Sequence, residues 1–196
     1  MCPFIETIQI VDGEVKRLSY HNKRMNATRE HFYPHTSPLD LSEYLVTRHE
    51  KGILKCRVVY TDCIDEISYS PYTMRNIQSL RLVDDDQINY EYKSTDRSKL
   101  NELFARRGSE DDVLIVRNGE ITDTSFSNIA FFDGNNWITP SHPLLKGTQR
   151  AALIEQGILQ ERDILVRDLE SYQQVCIINA MIDLGKLIIP ISRIIR

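Results

Sequence analysis

The amino-acid sequence predicts an α/β protein with two domains, a small α+β domain over residues 1–74 and a larger, β-rich α/β domain over residues 78–196. Short segments that alternate apolar and polar residues recur between turn residues, which is typical of strands. Segments of helical character lie among them. Pro71–Asn76 has the composition of a turn or linker, and we place the domain boundary there. The length of 196 residues, 41% of them hydrophobic, suffices for two small cores.

The first domain is predicted to contain two hairpins and two helices. Phe4–Val11 alternates and ends at Asp12-Gly13, a strong hairpin signal, so that Glu14–Leu18 is the return strand. Tyr20–Phe32 is expected to be helical. The remaining elements are a second helix that begins near Ser37 or Asp40 and runs to His49, and a hairpin formed by Ile53–Tyr60 and Ile64–Tyr69.

The second domain is expected to be richer in strands. Predicted helices are Ser98–Arg106, Gly147–Gln156 and the short segment Leu169–Gln174. Predicted strands are Ser79–Val83, Asp112–Arg117, Glu120–Thr122, Asn128–Phe132, Trp137–Pro140, Ile164–Arg167, Val175–Asn179 and Leu187–Ile191.

Composition excludes several classes of function. The net charge is −4 and there is no basic face, so nucleic acid is not an expected partner. No apolar run reaches the roughly 20 residues of a membrane span, and the N-terminus does not resemble a signal peptide. The four cysteines are scattered, which favours reduced thiols in a cytoplasmic protein. The triplet Asp84-Asp85-Asp86 lacks further residues with ligand spacing, and we therefore expect no metal site.

Three segments combine the groups that pyridoxal-phosphate (PLP) chemistry requires. That chemistry needs a lysine to form a Schiff base with the cofactor, a carboxylate at the pyridine nitrogen, and donors for the phosphate. The lysine segment is Tyr92-Lys93-Ser94-Thr95-Asp96-Arg97, and the carboxylate segment is Asp123-Thr124-Ser125-Phe126-Ser127-Asn128. Leu145-Lys146-Gly147-Thr148-Gln149-Arg150 opens a predicted helix, whose first N–H groups favour an anion.

The order and spacing of these segments resemble the class IV aminotransferase family, PLP fold type IV. The likeness extends from Phe4-Ile5-Glu6-Thr7 to about Ile191, and it includes His21-Asn22-Lys23-Arg24 and Asn179-Ala180-Met181. It implies a fold like that of D-amino-acid aminotransferase, a homodimer, and PLP bound in the cleft between the two domains.

The resemblance also implies roles for individual residues. The Lys-x-x-x-Arg pattern of Lys93 and Arg97 matches the Schiff-base segment of the family, and Asp123 takes the position of the carboxylate that faces the pyridine nitrogen. The implied phosphate-binding residues are Arg24, Gly147, Thr148 and Gln149. Ser127, Asn128, Asn179 and Ala180 are expected to lie beside the cofactor.

The chain departs from the family pattern in two places. The position of Asp123 is usually Glu, which is one methylene longer. Typical members also carry a longer segment before the first strand, where this chain begins almost on that strand. Because that segment often contributes to the substrate side, the departures affect the substrate more than the cofactor.

Three functions remain open. Asn179-Ala180-Met181, the Phe-x-Glu-Thr opening and Trp137-x-Thr139-Pro140 favour aminodeoxychorismate lyase, which converts 4-amino-4-deoxychorismate into 4-aminobenzoate and pyruvate in folate biosynthesis. The first alternative is a D-amino-acid or branched-chain aminotransferase. The second is a non-catalytic PLP-binding relative. For both enzymatic functions the substrate is a small molecule that carries an amino group and a carboxylate.

Two arginines are candidates for the substrate carboxylate. Arg57 lies on a predicted strand, on the same face as Val59 and opposite Cys56 and Val58. If Val58 faces the core, Arg57 faces away from it and is available to a ligand. Arg97 is the alternative because it follows Lys93 by about one helical turn.

Overall fold

The chain folds as two units in the computed structural model, which describes residues 2–46 and 51–196. The first unit extends to Met74 and also contains Tyr92–Asp96, whereas the second contains Arg75–Glu91 and Arg97–Arg196. The segment that carries Lys93 therefore belongs to the first unit, although the sequence assigned it to the larger domain.

An antiparallel sheet forms the first unit, with the strand order β2-β1-β3-β4. The two central residues of the first hairpin turn, Asp12 and Gly13, have φ angles of 49° and 87°, as the predicted type I′ turn requires. The return strand is shorter than expected because helix α1 begins at Leu18. The bounds are β1 Phe4–Val11, β2 Glu14–Val15, α1 Leu18–Phe32, β3 Ile53–Tyr60 and β4 Ile64–Pro71.

One face of this sheet packs on α1 and forms the core of the first unit. The buried hydrophobic residues of β1 are Phe4, Ile8 and Ile10, which all lie on one face of the strand, and α1 contributes the fully buried Met25. The paired positions of β3 contribute Leu54, Cys56 and Tyr60, and Val58, opposite Glu6, belongs to the same core. Because strand side chains alternate, the residues between these positions lie on the opposite face of the sheet.

The second predicted helix is wrong in the part of it that the structure describes. Only a 3-10 turn forms, over Leu41–Glu43, and residues 47–49 of the prediction lie outside the described residues. Side chains accept hydrogen bonds from the backbone N–H groups of this segment. The Asp40 side chain accepts from Ser42 N, and the Asn22 side chain accepts from Leu41 N at 2.9 Å. Such bonds compete with regular helix formation.

The second unit contains two sheets. The first has the order β13-β5-β6-β7, and β5 runs parallel to β6. The second has the order β10-β9-β8-β11-β12. The strands and helices are β5 Leu80–Asp84, α2 Ser98–Ala105, β6 Asp112–Arg117, β7 Glu120–Thr124, β8 Asn128–Phe132, β9 Trp137–Pro140, α3 Thr148–Glu155, β10 Leu159–Arg162, β11 Gln174–Ile178, β12 Ile188–Pro190 and β13 Ile194–Ile195.

The region between α3 and β11 differs from the prediction. The strand expected at Ile164–Arg167 is reduced to an isolated bridge between Leu165 and Glu120. A 3-10 helix over Val166–Ser171 replaces the expected short helix at Leu169–Gln174. Strand β10 was not predicted, because Leu159 is its only buried residue and it therefore has no alternating pattern.

None of the helices within residues 2–46 and 51–196 has the length and apolar character that a membrane span requires.

We predict that Met25→Ala destabilises the protein by about 2–5 kcal/mol, because it opens a cavity between α1 and its sheet. Met25 is 0% exposed, so the lost contacts cannot be replaced by water. Urea unfolding measures the change. Lys23→Ala, at an exposed position of the same helix, is the control and should change stability by less than about 0.5 kcal/mol. Equal effects of the two substitutions would contradict this account of the core.

Candidate functional site

The backbone of the Lys93 segment is attached to the beginning of β1. Ile5 N donates to the Lys93 carbonyl at 2.9 Å, and Thr95 N donates to the Pro3 carbonyl at 2.9 Å. An antiparallel bridge between Phe4 and Ser94 lies between these bonds. The lysine is thus half-buried in an extended segment whose path is fixed by the first strand.

An aromatic cluster holds the residue before Lys93. The Tyr92 ring stacks on His31 with a centroid distance of 5.0 Å and contacts Phe32 edge-on at 4.8 Å. Phe4 lies at 6.4 Å from the same ring. The sequence shows that Tyr92 flanks the lysine, but only the structure shows that the end of α1 supports it.

Arg24 is oriented by a carboxylate that sequence reasoning missed. Glu6 is fully buried and accepts from Arg24 Nε at 2.8 Å and from Arg24 Nη2 at 2.5 Å. His21 Nδ1 lies 2.6 Å from the second oxygen of Glu6. Burial raises the pKa of Glu6, but the charge of Arg24 and the hydrogen bonds from His21 and Arg24 outweigh it and hold the pKa at about 2. Burial lowers the pKa of His21, which favours the neutral ring.

Asp123, near the end of β7, has a different environment. It is buried, and its two carboxylate oxygens accept from Asn128 Nδ2 at 2.8 Å and from Leu145 N at 3.0 Å. Burial raises the pKa of Asp123 to about 6 because these neutral donors compensate only part of the desolvation. A buried carboxylate without a directly bonded cation suits the protonated nitrogen of a pyridine ring.

The turn before α3 lies against the same asparagine. A Cβ atom at Gly147 would collide with Asn128 Oδ1, so that only glycine allows this close approach. Thr148 and Gln149 begin the helix and are buried. Gln149 Oε1 is buried and has no hydrogen-bond partner among the described residues, which indicates that a further polar group belongs there. The first N–H groups of the helix favour an anion such as phosphate.

Asn179 joins this network from the end of β11. Its Nδ2 donates to Ser127 Oγ at 2.7 Å, and its Oδ1 accepts from Met181 N at 2.8 Å. Pairing of β8 with β11 places Asn128 opposite Ile178, which brings the two segments together. Among the predicted site residues of the second unit, Asn128 contacts both Asp123 and Gly147. Ser127, next to Asn128 in the chain, bonds to Asn179. Thr148, Gln149 and Ala180 adjoin these residues in the chain. The donor set fits a phosphorylated pyridine.

The two substrate-binding candidates differ in their surroundings. Arg97 donates from Nη2 to the Ser125 carbonyl at 2.7 Å, and its guanidinium lies 5.9 Å from the centre of the Tyr90 ring. These contacts indicate a structural role. Arg57 is half-buried on β3, and because Val58 is fully buried, Arg57 lies on the face of the sheet turned away from the core. We therefore favour Arg57 over Arg97.

One cluster of possible metal ligands lies elsewhere in the second unit. Glu120, His142 and Asp163 offer atoms within 4.8 Å of one another. His142 Nδ1 is 3.3 Å from Glu120 Oε2 and 3.4 Å from Asp163 Oδ1. Their side chains are 32–62% exposed, as is common for polar groups that meet at a protein surface. The residues come from three separate segments, so their spacing in the sequence does not reveal the cluster.

The acidic triplet before α2 takes part in structural contacts. Asp85 forms an ion pair with Lys99 at 2.9 Å and accepts from Gln87 N. Asp86 accepts from Asn118 N at 2.6 Å. These bonds tie the loop after β5 to the turn between β6 and β7.

Comparisons with known proteins agree with the sequence pattern. The model of the family "Amino-transferase class IV" matches residues 4–194. An uncharacterized protein of Haemophilus influenzae is 34% identical over 185 residues, which cover 92% of this chain and 98% of that protein. A "putative aminodeoxychorismate lyase" of Schizosaccharomyces pombe is 37% identical over 87 residues, which cover 41% of this chain and 38% of that protein.

Solved structures extend the comparison. A "putative 4-amino-4-deoxychorismate lyase" from Haemophilus somnus 129pt is 36% identical, with a TM-score of 0.89 over 94% of this chain and 98% of that chain. The branched-chain amino acid aminotransferase from Escherichia coli is 18% identical, with a TM-score of 0.72 over 98% of this chain and 76% of that chain. The second likeness concerns the fold alone.

The raised pKa of Asp123 predicts a pH dependence of stability in the cofactor-free protein. The folded carboxyl keeps its proton up to a pH of about 6, above the usual range of an unfolded aspartate, so its contribution to stability is greatest at acidic pH and falls as the pH rises through about 6. We expect the difference in unfolding free energy, wild type minus Asp123→Asn, to be lower at pH 7.5 than at pH 4.5 by on the order of 2 kcal/mol.

Chemical denaturation at the two pH values measures this difference. Other titrating groups, including Glu6 and His21, are present in both proteins and cancel in the subtraction. A difference that stays constant, or that grows with pH, would contradict the assignment of a raised pKa to Asp123.

Proposed function

Because the chain belongs to the class IV aminotransferase family, we propose that it is a PLP-dependent enzyme with aminodeoxychorismate lyase activity, which releases 4-aminobenzoate and pyruvate from 4-amino-4-deoxychorismate in folate biosynthesis. The observation that carries this choice is the likeness, at 36% identity and over nearly the full length of both chains, to a structure described as a putative lyase of this kind. The buried Asp123 network supports the cofactor assignment.

The proposal gives each site residue a task. When bound, PLP supplies an electron sink for the negative charge that develops on the substrate carbon. Lys93 would hold the cofactor through its Nζ, and the same nitrogen would act as the base that removes the proton from the carbon bearing the amino group. Asp123, positioned by Asn128 and Leu145 N, stabilises the protonated pyridine nitrogen.

Separate groups hold the phosphate. Arg24, whose guanidinium is oriented by Glu6, provides a planar cation suited to phosphate oxygens. Gly147, Thr148 and Gln149 supply the beginning of α3. Loss of pyruvate from the substrate leaves an aromatic ring, and this gain in stability favours the elimination. The proton that Lys93 Nζ takes up balances the proton that the departing enol oxygen needs.

We predict that Lys93→Ala reduces the release of 4-aminobenzoate by about 10³-fold or more, since it removes both the attachment point and the base. The visible absorption of the lysine-bound cofactor should disappear as well. The matched control is Lys186→Ala, at an exposed position of the second unit, which should leave the rate and the spectrum unchanged.

The same assay separates the alternatives. Turnover only with pairs of an amino acid and a 2-oxoacid would assign a D-amino-acid or branched-chain aminotransferase instead. Cofactor uptake without any turnover would indicate a non-catalytic relative, and a colourless protein that takes up no PLP would refute the cofactor assignment.

We further propose that the protein works in the cytoplasm as a homodimer. The four cysteines are free thiols, which supports a reducing compartment, and the resemblance to the family implies the dimer. Light scattering at micromolar concentration should give the mass of two chains. A single-chain mass under these conditions would contradict the dimer and leave the assignment of the reaction untouched.

A further inference from the structure

The face of the first sheet that is turned away from its core carries two polar rows. In the first row Thr7, Arg57 and Ser68 lie side by side on β1, β3 and β4. In the second row Gln9, Lys55 and Ser70 do the same. Paired residues share a face and every second residue repeats it, so that the two rows are neighbours.

Two cations stand next to each other in the middle of these rows. Lys55 and Arg57 are two positions apart on β3, about 6–7 Å along the strand, and both are half-buried. Within residues 2–46 and 51–196 neither side chain has a hydrogen bond or an ion pair. Glu66 pairs with Val59, two positions after Arg57, and so lies on the same face of the sheet. It is exposed and forms no ion pair with Lys55 or Arg57.

A third cation, Arg17, adds to the positive charge of this face. Arg17 Nη2 donates to Gln9 Oε1 at 2.9 Å, and Gln9 is the sheet partner of Lys55. The whole chain carries a net charge of −4, so acids are in excess, yet no acid within residues 2–46 and 51–196 forms an ion pair with Lys55 or Arg57. Like charges on one partly desolvated face repel each other, and an anion that binds there removes this cost.

We propose that Lys55 and Arg57 form a subsite for two carboxylates and restrict the substrate to dicarboxylates. Arg57 suits one carboxylate through its planar fork, and Lys55 supplies a point charge for the second. That the ligand of this subsite is the substrate rests on the proposed function. The subsite deepens that function, because a monocarboxylic amino acid satisfies only one of the two cations, whereas 4-amino-4-deoxychorismate carries two carboxylates.

The test compares glutarate with valerate, a dicarboxylate and a monocarboxylate of the same chain length, by calorimetric titration of the PLP-loaded protein. Glutarate should bind about tenfold more tightly, as one additional charge-assisted contact predicts. In Lys55→Met this preference should fall to less than about threefold, while valerate affinity stays unchanged. Arg57→Met should weaken both ligands. Raised salt should reduce the preference, because both contacts are between charges.

Lys186→Met is the matched control, since it removes the same charge from an exposed position and should leave the preference intact. Equal affinities for glutarate and valerate in the wild type, or a preference that survives Lys55→Met, would overturn the proposal. Loss of PLP uptake in Lys55→Met or Arg57→Met would also overturn it, because the pair would then serve the cofactor phosphate. Absence of 4-aminobenzoate release together with an intact glutarate preference would refute the proposed reaction and leave the subsite standing.

Discussion

The buried carboxylate of Asp123 is the constraint around which the second unit is arranged. Its two oxygens accept from Asn128 at the start of β8 and from Leu145 in the loop before α3. Asn128 also donates to the Leu145 carbonyl at 2.7 Å, so that strand and loop are joined both through the carboxylate and directly. The close approach of Gly147 to Asn128 depends on the same arrangement. These contacts connect Asp123 and Asn128 to the loop that leads into α3.

The buried acids of the two units, Glu6 and Asp123, have opposite electrostatic environments. Glu6 has a guanidinium and an imidazole within hydrogen-bonding distance, and its charge is fully compensated inside the protein. Asp123 accepts hydrogen bonds only from neutral groups, and burial therefore destabilises its ionised form. A fully paired acid serves to orient its partner, here Arg24. An acid without a directly bonded cation is suited to a ligand that carries one.

Local sequence pattern predicted the regular parts of the fold for identifiable reasons. β1 and β3 alternate because one face of their sheet covers a core, and the Asp12-Gly13 turn follows from the left-handed backbone that the hairpin needs. β10 has one buried residue, and the helix expected after Ser37 is prevented by side chains of α1, which lie far from it in the sequence. Neither effect is visible in a window of neighbouring residues.

The candidate site was predicted less by pattern than by resemblance. The tyrosines beside Lys93 and the helix after it are not enough to distinguish it from an ordinary surface lysine, and Asp123 alone could belong to a simple turn. The stack of Tyr92 on His31 and the pairing of Arg24 with Glu6 join residues that are distant in the chain. Periodicity cannot reveal such contacts. Likewise, only the structure shows that Lys55 and Arg57 form no ion pair with any other residue that it describes.

The path of the chain affects how this protein folds and whether it can be cut into independent fragments. Tyr92–Asp96 belongs to the first unit, but the residues on both sides of it belong to the second. No single cut therefore yields two complete units, and a fragment that ends at Met74 lacks the segment that pairs with Phe4. Formation of that pairing closes a long loop, which is a slow, entropically costly event in folding. An exchange of either unit between related proteins must for the same reason replace two stretches of sequence together.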